Sequence, residues 1–184
     1  MKLGVIGAGY VGLVTAACFS EFGYKVTCVD SDKKKINKLN KNIIPIYEPG
    51  LSDLIKKNTS SNYLKFSSDI KKIVDANIIF IAVGTPTARR GSGEADLNFV
   101  YAVCQQIGKL LIKGQEKLII TKSTVPVGTG NKLKDKFKNL RPDLIYNEDY
   151  HVASNPEFLR EGSAIEDFMR PDRVICGITS DKAK

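Results

Sequence analysis

The feature that most constrains the fold is a pattern of glycines near the start of the chain, within the stretch VIGAGYVGLVTAACFSEFGYKVTCVD. An apolar run typical of a buried strand leads to Gly7, Gly9 and Gly12, and apolar residues at helical spacing follow them. A second apolar run then ends at Asp30. Because glycines weaken the start of a helix, three of them in this register indicate that the turn must leave room for something. The stretch therefore predicts a strand–turn–helix–strand unit with a ligand site at the turn.

The ligand that fits such a turn is a dinucleotide. Gly7 permits the tight turn, Gly9 has no side chain to block a pyrophosphate, and Gly12 lets the helix and the strand pack closely. The free amides and the positive dipole end of the helix would bind the phosphates. Asp30 would accept hydrogen bonds from the adenosine ribose and repel a 2′-phosphate, which favours NAD over NADP, although the lysines at 33–35 would offset part of that repulsion. The competing interpretations are a glycine turn without a ligand and a helix-capping role for Asp30.

Strand and helix patterns alternate along the rest of the chain. Apolar runs predict strands at residues 2–6, 25–29, 64–66, 77–83, 117–121, 152–154 and 174–176. Helical spacing predicts helices at residues 10–22, 32–40, 97–111 and 128–138, and a short helix that begins near Pro49. This alternation predicts an α/β fold: a Rossmann-type, doubly wound, mostly parallel sheet with helices on both faces. Because 184 residues suit a single domain, residues 1–184 are expected to form one cofactor-binding domain.

Composition and charge argue against several function classes. The net charge is +8, and the densest basic patch comprises Lys33, Lys34, Lys35, Lys38 and Lys41. This patch lacks interleaved aromatic residues and any nucleic-acid motif, so we expect a solvated helix face and no nucleic-acid partner. No run of about 18 apolar residues occurs, and the N-terminus does not read as a signal peptide, so no membrane span is expected.

The cysteines and the histidine give no sign of a metal site. Cys18, Cys28, Cys104 and Cys176 each lie in an apolar run and form no CxxC pair, so we expect all four to be reduced core residues. His151 is the only histidine, and it is expected to be structural rather than a catalytic base. Reduced cysteines indicate a cytoplasmic protein.

Five stretches give the chain a family resemblance. They are GAGYVGLVTAACFSEFGYKVTCVD, PIYEPGL, FIAVGTPT, STVPVGTG and NPEFLREGSAIEDFMRPDRVICG, and they run in this order over nearly the whole chain. With them the chain resembles the UDP-glucose/GDP-mannose dehydrogenase family, specifically its N-terminal NAD-binding domain. The stretch EGSAIEDFMRPDRVI is more similar to the UDP-glucose branch than to the GDP-mannose branch.

The resemblance implies a reaction in which UDP-glucose, two NAD and water give UDP-glucuronate and two NADH. The family holds the intermediate on a cysteine of a C-terminal GGGC motif, and the present sequence contains neither that motif nor the family's long central helix and substrate lysine. The chain is therefore expected to be a cofactor-binding half that is inactive alone, with the full-length protein a homodimer. A GDP-mannose or UDP-N-acetylhexosamine dehydrogenase, and a non-catalytic NAD-binding module, are the alternatives.

The resemblance also implies roles for residues at the carboxyl ends of the strands, where doubly wound sheets bind ligands. Cofactor contacts are expected from Gly7, Gly9, Tyr10, Val11, Gly12, Asp30, Lys35, Thr85, Pro86, Ser123, Thr124 and Glu161. Contacts to the nucleotide sugar are expected from Glu157, Phe158, Leu159 and Arg160. The expected catalytic residues are Thr124, Glu157 and Glu161.

The three catalytic residues would divide the chemistry. The Thr124 hydroxyl would hold a catalytic water near the nicotinamide. Glu157 would act as general base in hydrolysis of the thioester, and Glu161 would lie beside the cofactor. These glutamates are four residues apart, so they would share one face if their segment is helical. In the loop after the fourth strand, Arg89 and Arg90 would either clamp an anion or be simply exposed.

Overall fold

The computed structural model describes residues 1–87 and 95–178. The strands are β1 (Lys2–Ile6), β2 (Lys25–Val29), β3 (Leu64–Ser67), β4 (Ile78–Ile81), β5 (Lys117–Thr121), β6 (Tyr150–Ser154) and β7 (Gly177–Ile178). The helices are α1 (Tyr10–Glu21), α2 (Lys33–Leu39), α3 (Leu51–Ser60), α4 (Asn98–Gly108), α5 (Thr129–Leu140) and α6 (Ala164–Met169). A single turn of 3₁₀-helix, Ile70–Ile73, lies between β3 and β4 and was not predicted.

The strands form one sheet in the order β3-β2-β1-β4-β5-β6-β7. Neighbouring strands are parallel, except that β7 runs antiparallel to β6. Because β1 pairs with both β2 and β4, the direction of winding reverses between β1 and β4, and this creates a topological switch point at their carboxyl ends. The prediction of a doubly wound, mostly parallel sheet is confirmed.

Helices cover both faces of the sheet because the central strands are apolar on both sides. Successive residues of a strand point to opposite faces, and β1 shows this directly, since Val5 belongs to one apolar cluster and Ile6 to the other. The cluster around Val5 includes the buried faces of α1 and α3. The cluster around Ile6 includes the buried faces of α4 and α5. Because the two clusters hold helices on both faces of the sheet, the carboxyl ends of its strands form one surface between them.

The C-terminal end departs from the sequence prediction. Within the described residues the last strand is Gly177–Ile178 rather than residues 174–176, because Gly177 and Ile178 are the residues that pair antiparallel with β6. Cys176 lies outside this ladder and is exposed, so the expectation that it is a core residue is wrong. Three cysteines are buried as expected: Cys18, Cys28 and Cys104.

Candidate functional site

The glycine turn leaves open space in front of the first helix. Gly7 has a φ of +106°, and a Cβ built on it would lie 2.5 Å from the Ala82 carbonyl oxygen, while a Cβ on Gly12 would lie 1.8 Å from the Gly7 oxygen. Both positions therefore need glycine for reasons internal to the protein. Gly9 differs, because its φ of −83° and ψ of −167° suit any residue and a Cβ there would meet nothing within 4 Å. What glycine preserves at position 9 is empty space at the mouth of the turn, as a pyrophosphate would require.

The N-terminus of α1 faces this space. Gly9 is its N-cap and supplies no side-chain cap, and no acidic residue occurs in the first turn. The first amides of a helix have no partner within the helix, so those of α1 are available as donors beside the positive end of the dipole. The helix has 12 residues, which is long enough for the dipole to favour an anion at this end. The arrangement fits the phosphates of a dinucleotide.

Asp30 closes the other side of the turn. Its Oδ2 accepts hydrogen bonds from the Ala8 amide at 2.8 Å and from Lys35 Nζ at 2.9 Å, and its Oδ1 accepts from the Asp32 amide at 2.9 Å. Burial alone would raise the pKa of Asp30, but the hydrogen bonds from Asp32, Lys35 and Ala8 hold it below its ordinary value. The carboxylate is therefore ionised and rigidly held. A carboxylate can accept about four hydrogen bonds, so capacity for a ribose hydroxyl is left.

A pocket of about 370 Å³ opens beside Asp30 at the switch point. Gly7 of the turn lines it, and its polar side chains are Asp30, Ser31, Ser68, Asp69 and Gln106. Its apolar walls include Val83, at the end of the predicted fourth strand, and four residues that the sequence analysis did not predict for the site: Ile70, Phe99, Ala102 and Val103. An apolar slot next to a fixed carboxylate suits a planar base attached to a ribose.

The ends of β4 and β5 meet at the same edge of the sheet. The Thr85 hydroxyl donates to the Thr124 carbonyl oxygen at 2.8 Å, which ties the two strand ends together. Ser123 is buried, and its hydroxyl donates to the Val83 carbonyl oxygen at 2.7 Å. Thr124 and Pro86 are exposed. The hydroxyls of Thr85 and Ser123 thus donate to backbone carbonyl oxygens. Of Thr85, Ser123 and Thr124, Thr124 is the exposed one.

Residues 155–163 bring the two predicted glutamates to this edge, but in no regular structure. The segment contains no helix, so the condition under which Glu157 and Glu161 would share a helical face is not met. Glu157 is half-buried and accepts a hydrogen bond from the Leu159 amide at 2.8 Å. Glu161 is exposed, and it lies close enough to Tyr10 for its charge to help raise the pKa of that tyrosine. The backbone path, rather than helical spacing, places each carboxylate.

Lys122 is a buried cation that was not among the residues predicted from the sequence. It is 6% exposed, and its Nζ donates to Asn155 Oδ1 at 3.0 Å and lies 5.5 Å from the centre of the Phe168 ring. Burial lowers the pKa of Lys122, against the opposing influence of Glu157 and Cys176. Lys122 therefore puts positive charge next to Glu157 inside the protein. A lysine directly after an apolar strand and before a Ser-Thr pair was the available sequence signal.

A second pocket, of about 390 Å³, is lined by three of the four predicted substrate residues. Glu157, Phe158 and Leu159 line it together with Lys122. Leu159 also packs against the core, whereas Phe158 is 49% exposed and has the Arg173 guanidinium 5.2 Å from its ring centre. The predicted substrate contact Arg160 does not line this pocket. Its guanidinium instead bonds Asp167, at 2.7 and 3.1 Å.

The remaining candidates lie elsewhere. His151 is buried, and its Nε2 is 2.5 Å from Glu116 Oε1, as suits a structural histidine. Lys35 differs from the rest of the basic patch because its Nζ donates to Asp30. The other four lysines of the patch are exposed. Arg89 and Arg90 lie outside the described residues. Over residues 1–87 and 95–178, no group of three or more His, Cys, Asp and Glu residues could hold a metal, and no helix is long and apolar enough to cross a membrane.

Comparison with known proteins agrees with this geometry. A family model described as "UDP-glucose/GDP-mannose dehydrogenase family, NAD binding domain" matches residues 1–184. UDP-glucose 6-dehydrogenase from Rhizobium meliloti is 51% identical over 179 residues, which are 97% of this chain and 39% of that protein. The chain therefore spans about two fifths of the length of that curated relative.

Two solved structures have the same fold. A UDP-glucose dehydrogenase from Pyrobaculum islandicum matches with a TM-score of 0.91 and 38% identity, over 99% of this chain and 41% of that one. GDP-mannose dehydrogenase from Pseudomonas aeruginosa, solved as a ternary complex, matches with a TM-score of 0.93 and 34% identity, over 100% of this chain and 42% of that one.

Proposed function

We propose that this chain, which belongs to the UDP-glucose/GDP-mannose dehydrogenase family and forms its NAD-binding domain, is the cofactor half of a UDP-glucose 6-dehydrogenase. The observation that carries the proposal is the meeting, at one sheet edge, of the open space at Gly9, the uncapped N-terminus of α1 and the fixed Asp30 carboxylate. The open space and the helix N-terminus suit the pyrophosphate of a dinucleotide, and the Asp30 carboxylate suits its adenosine ribose.

NAD binding would use this edge from end to end. The adenosine would occupy the pocket beside Asp30, with the ribose hydroxyls on that carboxylate and on the Lys35 side of it. The pyrophosphate would lie over Gly9 on the amides of Tyr10 and Val11. The nicotinamide end would reach Thr85, Pro86, Ser123 and Thr124, with Glu161 beside it. Bound NAD supplies the hydride acceptor, while the chain binds and orients it.

The second pocket would serve the sugar nucleotide and the hydrolytic step. Glu157 would take a proton from the attacking water, and the exposed Thr124 hydroxyl would orient that water. Buried Lys122 lines the same pocket as Glu157 and would place a positive charge beside the bound substrate. Phe158, Leu159 and Arg160 would contact the nucleotide sugar from the rim. By the family resemblance, a covalent intermediate needs the cysteine of the GGGC motif. In a protein as long as the relatives, the part outside this chain would have to supply that cysteine.

UDP-glucose is the favoured substrate because UDP-glucose relatives match this chain at higher identity than the GDP-mannose enzyme of known structure does. The Rhizobium UDP-glucose enzyme is 51% identical, against 34% for the GDP-mannose enzyme of known structure. A homodimer is proposed for the full-length protein, by the family resemblance alone. A cytoplasmic location is proposed from the free thiols of Cys18, Cys28 and Cys104, which suit a reducing compartment.

Calorimetry and a turnover assay test the proposal. We expect the purified chain to bind NAD, prefer it to NADP, and produce no NADH from UDP-glucose. Activity should return when the C-terminal part of a UDP-glucose relative is added in trans or fused after residue 178. A chain that does not bind NAD would contradict the cofactor assignment. Turnover with GDP-mannose or a UDP-N-acetylhexosamine in preference to UDP-glucose, in the fused protein, would contradict the substrate assignment, and a fused protein without any turnover would favour a binding module.

A further inference from the structure

A buried carboxylate joins the glycine turn to residues 155–163. Glu48, in the stretch IYEPGL, is 5% exposed. Its Oε2 accepts a hydrogen bond from the Gly162 amide at 2.8 Å, and its Oε1 accepts from the Ala164 amide at 2.9 Å. The Tyr10 hydroxyl donates to the same Oε2. Across the part of the chain that the structure describes, no lysine or arginine forms an ion pair with Glu48.

The protonation states of this cluster are fixed at neutral pH. Burial alone would raise the pKa of Glu48, but the Tyr10 hydroxyl and the amides at residues 162, 164 and 165 hold it below its ordinary value. Burial and the hydrogen bond to Glu48 raise the pKa of Tyr10 to about 12. Tyr10 therefore remains a donor and Glu48 an acceptor. A fully satisfied buried network of this kind favours one arrangement of the three segments that it joins.

Two of the three segments belong to opposite ends of the proposed site. Tyr10 is the first residue of α1 and directly follows Gly9, so its backbone is part of the phosphate-binding turn. Gly162 directly follows Glu161, and its amide also lies 3.3 Å from the Tyr10 hydroxyl oxygen. Glu48 comes from neither end; it is 38 residues from Tyr10 and 114 residues from Gly162 in sequence. The carboxylate thus connects two functional segments that share no regular secondary structure.

We propose that Glu48 is a positioning residue that couples cofactor binding at the glycine turn to the placement of Glu161. The inference rests on the proposed NAD site. A pyrophosphate on the amides of α1 restricts the Tyr10 backbone, Tyr10 holds the Glu48 carboxylate, and Glu48 holds the amides on either side of Ser163. By linkage, fixing residues 161–164 strengthens cofactor binding by the same factor by which the cofactor fixes them.

Three variants of the chain test this coupling. Glu48→Gln keeps the size of the side chain but replaces one carboxylate oxygen, which accepts hydrogen bonds, with an NH2 group, which donates them. Tyr10→Phe keeps the ring and removes only the hydroxyl. Glu21→Gln is the matched control, because Glu21 is at the far end of α1 and accepts hydrogen bonds from Lys57 and Asn58 of α3. For each chain we would measure unfolding in urea, NAD binding by calorimetry, and amide hydrogen exchange at Gly162 and Ala164 with and without NAD.

In the unmutated chain, NAD should slow exchange at both amides. Glu48→Gln should abolish that NAD-dependent protection and weaken NAD binding by roughly fivefold or more, the lower end of common coupling factors. Tyr10→Phe should act in the same direction, and it keeps the test valid if Glu48→Gln does not fold. Glu21→Gln should lose stability while keeping NAD affinity and protection.

The outcomes separate this inference from the proposed function. If the unmutated chain binds NAD, and Glu48→Gln or Tyr10→Phe only lowers stability with NAD affinity and protection unchanged, Glu48 is merely structural and the inference is overturned. If the unmutated chain binds no NAD, the proposed cofactor site fails, and the coupling fails with it.

Discussion

The glycine turn with Asp30 and the segment 155–163 meet at one edge of the sheet, but the chain holds them by different means. The turn is fixed by its neighbours in sequence, because β1, α1 and β2 are regular and the Asp30 carboxylate bonds the Ala8 amide. The segment 155–163 has no regular structure. It depends on two buried charges from elsewhere, Glu48 and Lys122.

The two regions also differ in what they leave uncovered. The residues that flank the turn are mostly buried, and Gly9 is the exposed exception. Near the second region, by contrast, Phe158 is 49%, Val174 67% and Ile175 45% exposed. The comparison shows that the glycine turn and Asp30 come from one stretch of about 30 contiguous residues, a length typical of such units. The other end presents these apolar side chains to solvent.

The largest expected effect comes from filling the turn. Gly12→Ala would put a Cβ 1.8 Å from the Gly7 oxygen, where only backbone movement can relieve the clash, so we expect a loss of more than about 3 kcal/mol in unfolding free energy. Gly9→Ala should cost at most about 1 kcal/mol as a poorer N-cap, yet weaken NAD binding by on the order of tenfold. Urea unfolding and calorimetry measure the two effects.

Gly130→Ala is the control for adding a methyl group. Gly130 is in α5, and a Cβ there meets nothing within 4 Å, so stability should be unchanged or slightly higher and NAD binding unaffected. If Gly9→Ala bound NAD as the unmutated chain does, the space at Gly9 would not be a phosphate site, and the contrast between the two regions would lose its functional meaning.

Removal of the Asp30 carboxylate should be the next largest effect. Asp30→Ala leaves the buried Ala8 amide without its acceptor, for which we expect a loss of about 2–3 kcal/mol. It should also narrow the preference for NAD over NADP, because carboxylate–phosphate repulsion disappears while Lys35 remains. Asp32→Ala, which removes only the N-cap of α2, should cost about 1 kcal/mol and leave the preference unchanged. NADP bound as tightly as NAD by the unmutated chain would contradict the assignment.

How well the sequence predicted each region follows from the same contrast. The glycine turn, Asp30 and the alternation of strands were predictable because local pattern determines them. Glu48 was within the PIYEPGL stretch, but the amides of Gly162 and Ala164 that it accepts from are more than 100 residues away, and no periodicity encodes such a contact. Glu157 and Glu161 were expected from the family resemblance, and the shared helical face that their spacing would allow does not form because their segment is not helical. Cys176 followed two apolar residues, as a core strand would, but the strand partner begins one residue later.

Acid should weaken the connection between the regions before it unfolds the chain. The folded-state pKa of Glu48 lies below the ordinary value of 4.5, so its stabilising contribution is complete above that pH and disappears as the pH falls through the lower folded value. At pH 7 we expect Glu48→Gln to be less stable than the unmutated chain by about 2 kcal/mol. The difference should shrink steadily below pH 4.5, as measured by urea unfolding at several pH values. A difference that is independent of pH would show that the ionised carboxylate is not what stabilises the junction.

The smallest expected effect concerns the exposed apolar surface near the second region. Val174 is 67% exposed, so Val174→Ala should change the free energy of unfolding by no more than about 0.5 kcal/mol. Val14, fully buried in α1 beside the glycine turn, is the matched position, and Val14→Ala should cost about 2 kcal/mol because two methyl groups leave a packed core. Both values come from urea unfolding, and Val174→Ala should bind NAD normally because Val174 lines the second pocket and not the pocket beside Asp30. If Val174→Ala cost as much as Val14→Ala, residues 170–176 would be folded against this chain more firmly than their exposure indicates. The apolar side chains of the second region would then be held by contacts within this chain, as the buried residues beside the glycine turn are.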